Sequence, residues 1–206
     1  MENRSLIGKR AYDLSPRAER VELWAVCVAL SVVCVALPLL VRTMPPDSWL
    51  RQGGEQWIMG SVVNCALVVV GVNFKSWRKS AAVVFLPALC HVVLFFVLAT
   101  PIFGLYMVPA IWIGNVAILL VFKYLHVHKE WNYGLVAVLG IAIKAGIIFG
   151  IFNILVATGV IHGPAVAGLT TRMGINQIYV AAVGCVAAFV ILKTLYPRKT
   201  KIREVS

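Results

Sequence analysis

Residues 134–157 read "GLVAVLGIAIKAGIIFGIFNILVA", a run of 24 residues with two strongly polar side chains, Lys144 and Asn153. At about 1.5 Å per helical residue, such a run crosses the hydrocarbon of a bilayer. Lys144 stands near its centre, where a lysine costs roughly 3 kcal/mol on insertion scales. Some partner must offset that charge, and its identity is the functional question.

The rest of the chain has the same character. Of its 206 residues, 61% are hydrophobic and 13% charged, whereas a soluble domain carries about 25% charged residues. The sequence therefore reads as an all-α integral membrane protein, a single bundle of six transmembrane helices. The predicted spans are 22–41, 57–73, 80–99, 106–122, 134–157 and 174–195. Residues 1–21 form a polar N-terminal segment, 22–195 the transmembrane domain and 196–206 a basic tail. The second span is short, near the lower limit of about 17 residues. The first apolar run is longer than a secretory h-region of about 7–15 residues, so it is read as a span.

Orientation follows from the cations. Of nineteen Lys and Arg residues, fifteen fall in the N-terminal segment, the 2–3 and 4–5 connections, and the tail together with Lys193 at the adjoining end of span six. The alternate connections hold only Arg42, Arg51 and Arg172. The positive-inside rule then predicts a multi-pass protein of the cell membrane with both termini cytoplasmic. Anionic lipid headgroups, rather than nucleic acid, explain the net charge of +11.

Several chemistries find no support. Cys27, Cys34, Cys65, Cys90 and Cys185 all fall inside predicted spans, where they act as small apolar residues. His126 and His128 stand two apart and do not share a helix face, so no metal or other cofactor is expected. The chain lacks HExxH, GxSxG and a phosphate-cradling glycine loop, so neither an enzyme nor an ATPase is expected within it.

The polar residues gather at one depth. Asn64 in span two, Asn115 in span four, Lys144 in span five, and Asn176 with Gln177 at the start of span six all fall in the outer half. Lys144 lies about 15 Å from either helix end, too far to snorkel. Apart from Glu22 at the cytoplasmic edge, the predicted spans hold no carboxylate to pair with it. Amides, carbonyls or an anion from outside, a carboxylate or phosphate, remain as partners. Trp112 shares a helical face with Asn115 and reads either as an interfacial anchor or as a stacking wall. His91 reads as a packing residue, and Asn153 lies about half a turn away from Lys144. The two outer connections, "RTMPPDSWLRQGGEQ" and "TGVIHGPAVAGLTTRM", are long and suit lids over a cavity.

Small residues mark packing faces. Ala25, Ala29 and Ala36 fall within about 40° of arc on span one, a stripe that lets another helix approach closely. Gly146 with Gly150 in span five, and Gly184 with Ala188 in span six, form similar pairs. Each could serve either internal packing or a partner.

These features together resemble the substrate-binding S component of an energy-coupling factor (ECF) vitamin transporter. Ala25-xxx-Ala29 resembles the family's AxxxA contact with its transmembrane coupling subunit. "GSVVNCALVV" (residues 60–69) is similar to the G-x-x-V-N segment of span two. "VPAIWIGNVAILLVF" resembles the P-F-I-x-x-G-N segment, and "MGINQIYVAAVGCVAA" the final-span pattern Q-L-x-x-A-x-x-G-G. Ala110 replaces the usual aromatic residue and Cys185 the second glycine, which leaves the substrate subgroup open. The likeness covers about residues 22–195. It implies capture of a small-molecule substrate, a vitamin, with an anionic one suited to the lysine, by Lys144, Asn115, Asn64, Gln177, Asn176 and Trp112. It also implies docking through Ala25, Ala29 and Ala36 onto the coupling subunit, with separate ATPase subunits driving release. Two other readings remain: an autonomous secondary carrier using Lys144, and a non-transport membrane assembly protein.

Overall fold

The computed structural model describes residues 15–74, 77–98 and 103–195, and every element among them is helical. Five helical stretches are long and apolar enough to cross a membrane: Pro16–Arg42 (α1), Leu50–Asn73 (α2), Val108–His128 (α5), Tyr133–Ala157 (α6) and Val166–Leu195. The protein is thus a multi-pass membrane protein. The last stretch comprises two helices, Pro164–Met173 (α7) and Ile175–Leu195 (α8), broken at Gly174. The predicted third span coincides with the 22-residue helix Trp77–Leu98 (α3), and Phe103–Tyr106 (α4) is a single turn before α5.

Helix ends differ from the predicted boundaries for local reasons. α1 begins at Pro16 rather than residue 22, because the Ser15 side chain accepts from the Ala18 amide and proline occupies the first turn. Residues 15–21 are therefore not an irregular segment; residues 1–14 and the tail 196–206 lie outside the described residues. Glu19, drawn into this first turn, is 8% exposed and pairs with Lys79 of α3 at 2.9 Å. Further along, a π-helical turn at Val32–Ala36 precedes Pro38, where one extra residue per turn absorbs the clash a proline makes with the preceding turn.

α2 is not short. It starts seven residues before the predicted 57, with a kink at Gly53, whose φ of 122° suits glycine. The extension places a further carboxylate, Glu55, within a membrane-length helix, besides Glu19 and Glu22 of α1; the predicted boundary had excluded it. α5 likewise runs past 122 through a π-helical segment to His128. Lys123, counted above as a connection charge, instead lies inside this helix, 6% exposed, its Nζ donating to the Phe74 carbonyl. The 158–173 connection is not an open loop either, since α7 occupies most of it.

α2 forms the centre of the bundle. Val63, Asn64 and the run Ala66–Asn73 are all buried, so its second half is covered on every side. It packs most closely on α8, while α5 packs on α6. A large core of Leu30, Leu67, Val70, Phe74, Phe122 and Val136 fills the end where α1 begins and α8 finishes. A smaller one, Met107, Ala110, Ile148, Phe152, Ile161 and Met173, fills the opposite end. Tyr133, at the start of α6, donates to the Cys185 carbonyl of α8 at 2.6 Å. Tyr133→Phe is expected to lower stability by about 1 kcal/mol, read as a small fall in melting temperature at unchanged ligand binding.

Candidate functional site

Three helices bring one polar side chain each to a single point. Lys144 of α6 donates from Nζ to Asn64 Oδ1 of α2 at 2.6 Å and to Asn115 Oδ1 of α5 at 2.7 Å. All three residues are nearly or wholly out of solvent: 3%, 1% and 0% exposed respectively. The lysine is therefore turned into the bundle, where carbonyl dipoles replace the water its amine has lost.

Glycines make this convergence possible. A Cβ on Gly114 would sit 3.3 Å from Lys144 Cγ and 3.0 Å from Ile148 Cγ1. The lysine stem thus lies against Gly114 while its amine meets the next residue, Asn115. Gly60 fills the corresponding place on α2: its carbonyl accepts from Asn64 Nδ2 at 2.7 Å, and its missing side chain admits Val180 of α8. On the far side of Asn64, a Cβ on Gly184 would meet Asn64 Cβ at 2.5 Å and the Ser61 carbonyl oxygen at 2.7 Å. Gly184 therefore serves the α2–α8 contact. A Cβ on Gly146 or Gly150 would meet nothing within 4 Å and both lie exposed, so they take no part in packing among the described residues.

Above the cluster lies a cavity of about 250 Å³. Lys144, Asn64 and Asn115 line it together with Met59, Val63, Ala88, Val108, Ile111 and Val180. Arg51, Glu55, Gln56, Arg172 and Gln177 also contribute, all from the end of the bundle opposite the α1 start. The side chains of Gln56 and Gln177 both donate to the Arg172 carbonyl, at 3.4 and 3.0 Å, tying α2 and α8 to the end of α7.

The expected site residues separate into three groups. Lys144, Asn64, Asn115 and Gln177 line the one cavity. Asn176 lines a neighbouring recess of about 220 Å³ with Trp49, Trp57 and Thr171, outside the lysine cavity. Trp112 does not line the cavity; it packs edge-on against Phe85, with ring centroids 5.1 Å apart and planes at 88°. One residue of register separates these outcomes at each position: on a helix, neighbours point about 100° apart. Asn153 is exposed, its Nδ2 on the Phe149 carbonyl at 2.7 Å, away from Lys144 as expected. The side chain of His91 lies outside the described residues.

Arg51, Glu55, Gln56 and Arg172 were not anticipated as site residues. Their signal was present but faint: Arg51 and Arg172 are among the few cations of the cation-poor connections. Kinked α2 and the short α7 are what turn them toward the cavity rim.

The alanine stripe lies elsewhere. Ala25, Ala29 and Ala36 are all exposed. Ala25 and Ala29 line an apolar groove of about 1040 Å³ between α1, α2 and α8, which Ser15, Arg17 and Leu195 close at one end. Among the described residues no cluster of His, Cys, Asp and Glu could hold a metal ion. Compared with protein-family models, curated proteins and solved structures, the chain matches none.

Proposed function

We propose that this protein is a membrane-embedded capture subunit of the ECF type, an S component that takes up a vitamin or related micronutrient for a separate ATPase module. In this reading six helices cross the cell membrane, α3 being the sixth. Both termini are cytoplasmic and the cavity opens outward. The observation that carries it is the Lys144–Asn64–Asn115 cluster: a buried amine held, among the described residues, by two amides at the floor of a cavity. A purely structural lysine would be expected to find a carboxylate or a sealed environment. The chain itself performs no chemistry; it binds, and its partners supply the energy.

The exposed Ala25 and Ala29 support a second surface, on which a coupling subunit packs a helix closely. Ala29→Trp is expected to reduce co-purification with co-expressed coupling and ATPase subunits at least tenfold. Ligand binding should stay within twofold, because the stripe does not line the cavity. Normal assembly of the variant would remove the docking role.

The direct test of capture is mass spectrometry of small molecules extracted from the purified protein. One molecule enriched on wild type and depleted on Lys144→Met supports the proposal, and no enriched molecule removes it. Glu55 in the cavity lining favours a rival, an autonomous secondary carrier with a titrating carboxylate. Uptake by cells that lack every ECF ATPase would favour that rival.

A further inference from the structure

The cavity floor has a chemical polarity that narrows what it can hold. An asparagine amide can present either its oxygen or its nitrogen to a neighbour, and the surrounding network decides which. Beside an amine that donates, the oxygen is the favoured face. Asn64 and Asn115 accordingly both turn Oδ1 onto Lys144 Nζ, at 2.6 and 2.7 Å. Their Nδ2 groups must then face away. That of Asn64 donates to the Gly60 carbonyl at 2.7 Å. That of Asn115 is buried and has no partner among the described residues, on a residue that is 0% exposed and lines the cavity.

A buried amide nitrogen left unpaired is destabilising, and native structures rarely keep one without a reason. Lys144 adds to the demand. As an ammonium it has three donors, of which two are used. Both amide oxygens already accept from it. The floor therefore offers donors to any ligand group that reaches it.

We propose that Lys144 and Asn115 seat one carboxylate of a ligand with an apolar body. One carboxylate oxygen accepts from Asn115 Nδ2 and the other from the third N–H of Lys144. Val63, Ala88, Val108, Ile111 and Val180 cover the body of the molecule. This inference rests on the capture reading and names the class of substrate. A neutral primary amide is disfavoured, since its own N–H groups would face donors and it brings no charge. A phosphate monoester is disfavoured as well. It carries close to two negative charges at neutral pH, and the floor supplies a single cation, leaving the second charge buried and unpaired. Arg51 and Arg172 line the same cavity but are exposed, and Arg51 already donates to the Met44 carbonyl at 2.8 Å, so water screens their charge more than that of buried Lys144. The volume of about 250 Å³ suits a short-chain or one-ring acid.

The test uses the full chain in lipid nanodiscs and calorimetric titration with three matched probes: 3-phenylpropanoate, 3-phenylpropanamide and 2-phenylethyl phosphate. The carboxylate is expected to bind at least tenfold more tightly than either of the others. Asn115→Leu is expected to weaken carboxylate binding at least tenfold. Because that variant could also disturb folding, Asn115→Asp provides the second arm. Its side chain keeps the shape and pairs with Lys144, so the melting temperature should hold or rise while carboxylate affinity falls at least tenfold. Equal binding of acid and amide, tighter binding of the phosphate, no binding of the acid, or unchanged affinity in Asn115→Asp would each overturn the proposal. Extracted ligand separates this from the capture reading. An enriched small molecule without a carboxylate sinks the carboxylate seat alone, whereas no enriched molecule sinks capture itself.

Discussion

Lys144→Met is expected to weaken binding of the co-purifying ligand by roughly 10- to 100-fold, the range set by one charge-assisted hydrogen bond of about 1.5–3 kcal/mol. Methionine keeps the length and apolar stem that lie against Gly114, so the packing of α5 on α6 survives. Two effects on stability oppose each other. The Oδ1 atoms of Asn64 and Asn115 lose their donor, at about 1–3 kcal/mol for each group left unpaired. Removing a buried amine also removes its desolvation penalty, which is of similar or larger size. The net change in melting temperature should therefore be small beside the loss of binding. Equilibrium titration of ligand-stripped protein, with thermal unfolding in parallel, measures both. A variant that binds like wild type would make Lys144 a structural residue and remove the basis for capture.

Gly184→Ala is expected to destabilise the bundle by about 1–3 kcal/mol, the usual range for overpacking, and Gly184→Leu to abolish stable expression. The neighbours explain the severity. A Cβ at this position would meet the Ser61 carbonyl oxygen at 2.7 Å and the Cys65 amide nitrogen at 2.9 Å, besides Asn64 Cβ at 2.5 Å. Two of the three are backbone atoms, which cannot swing aside as a flexible side chain does. Relief requires α2 and α8 to separate, and these helices make the most extensive contact among the described elements. Because Asn64 sits in the contact, the movement also draws its Oδ1 away from Lys144. The alanine variant should thus lose ligand affinity, several-fold, as well as about 5–10 °C in melting temperature, taking a few degrees per kcal/mol. A Gly184→Ala protein with wild-type unfolding and binding would show that the α2–α8 contact has slack, and that Asn64 is held by something other than this glycine.

Lys144 and Gly184 act on one structure from opposite sides. Lys144 supplies the donor that orients the amides, and Gly184 supplies the space that lets Asn64 stand where the donor can reach it. Gly60 and Gly114 play similar parts on the neighbouring helices. Three positions without side chains therefore surround three with polar ones. Such an arrangement explains why the short segments "GSVVN" and "IGN" each join glycine to asparagine: the helix must approach closely where its amide has to touch.

Much of this was legible in the linear chain. The apolar run around Lys144, the absence of a carboxylate in the predicted span two, and the depth of Asn64 and Asn115 are all matters of composition and spacing. A helix rises uniformly, so residue number converts directly into depth. Depth alone brings Lys144 level with the two asparagines. That Ala25, Ala29 and Ala36 share one face of α1 follows from the same arithmetic, applied to angle instead of height; that this face is exposed does not.

What depth cannot give is azimuth across helices, which depends on how each one is rotated against its neighbours. Trp112 and Asn115 share a face within α5 to about 60°, yet only Asn115 meets the cavity, while Trp112 turns to Phe85. Asn176 and Gln177 are adjacent in sequence and line different recesses. Helix ends were equally beyond reach, because π-helical turns and the Gly53 kink extended α2 and α5 past their polar punctuation. Those extensions brought Glu55 into the cavity lining and buried Lys123 on the Phe74 carbonyl. The sequence by itself determined the class of protein, the number of apolar runs and the level at which a lysine must find acceptors, since hydrophobicity and rise per residue are local properties. Tertiary structure alone decided which acceptors they were, and that a cavity rather than packed side chains lies above them. Both depend on how far two helices can close, and that distance is set at glycines lying on different helices.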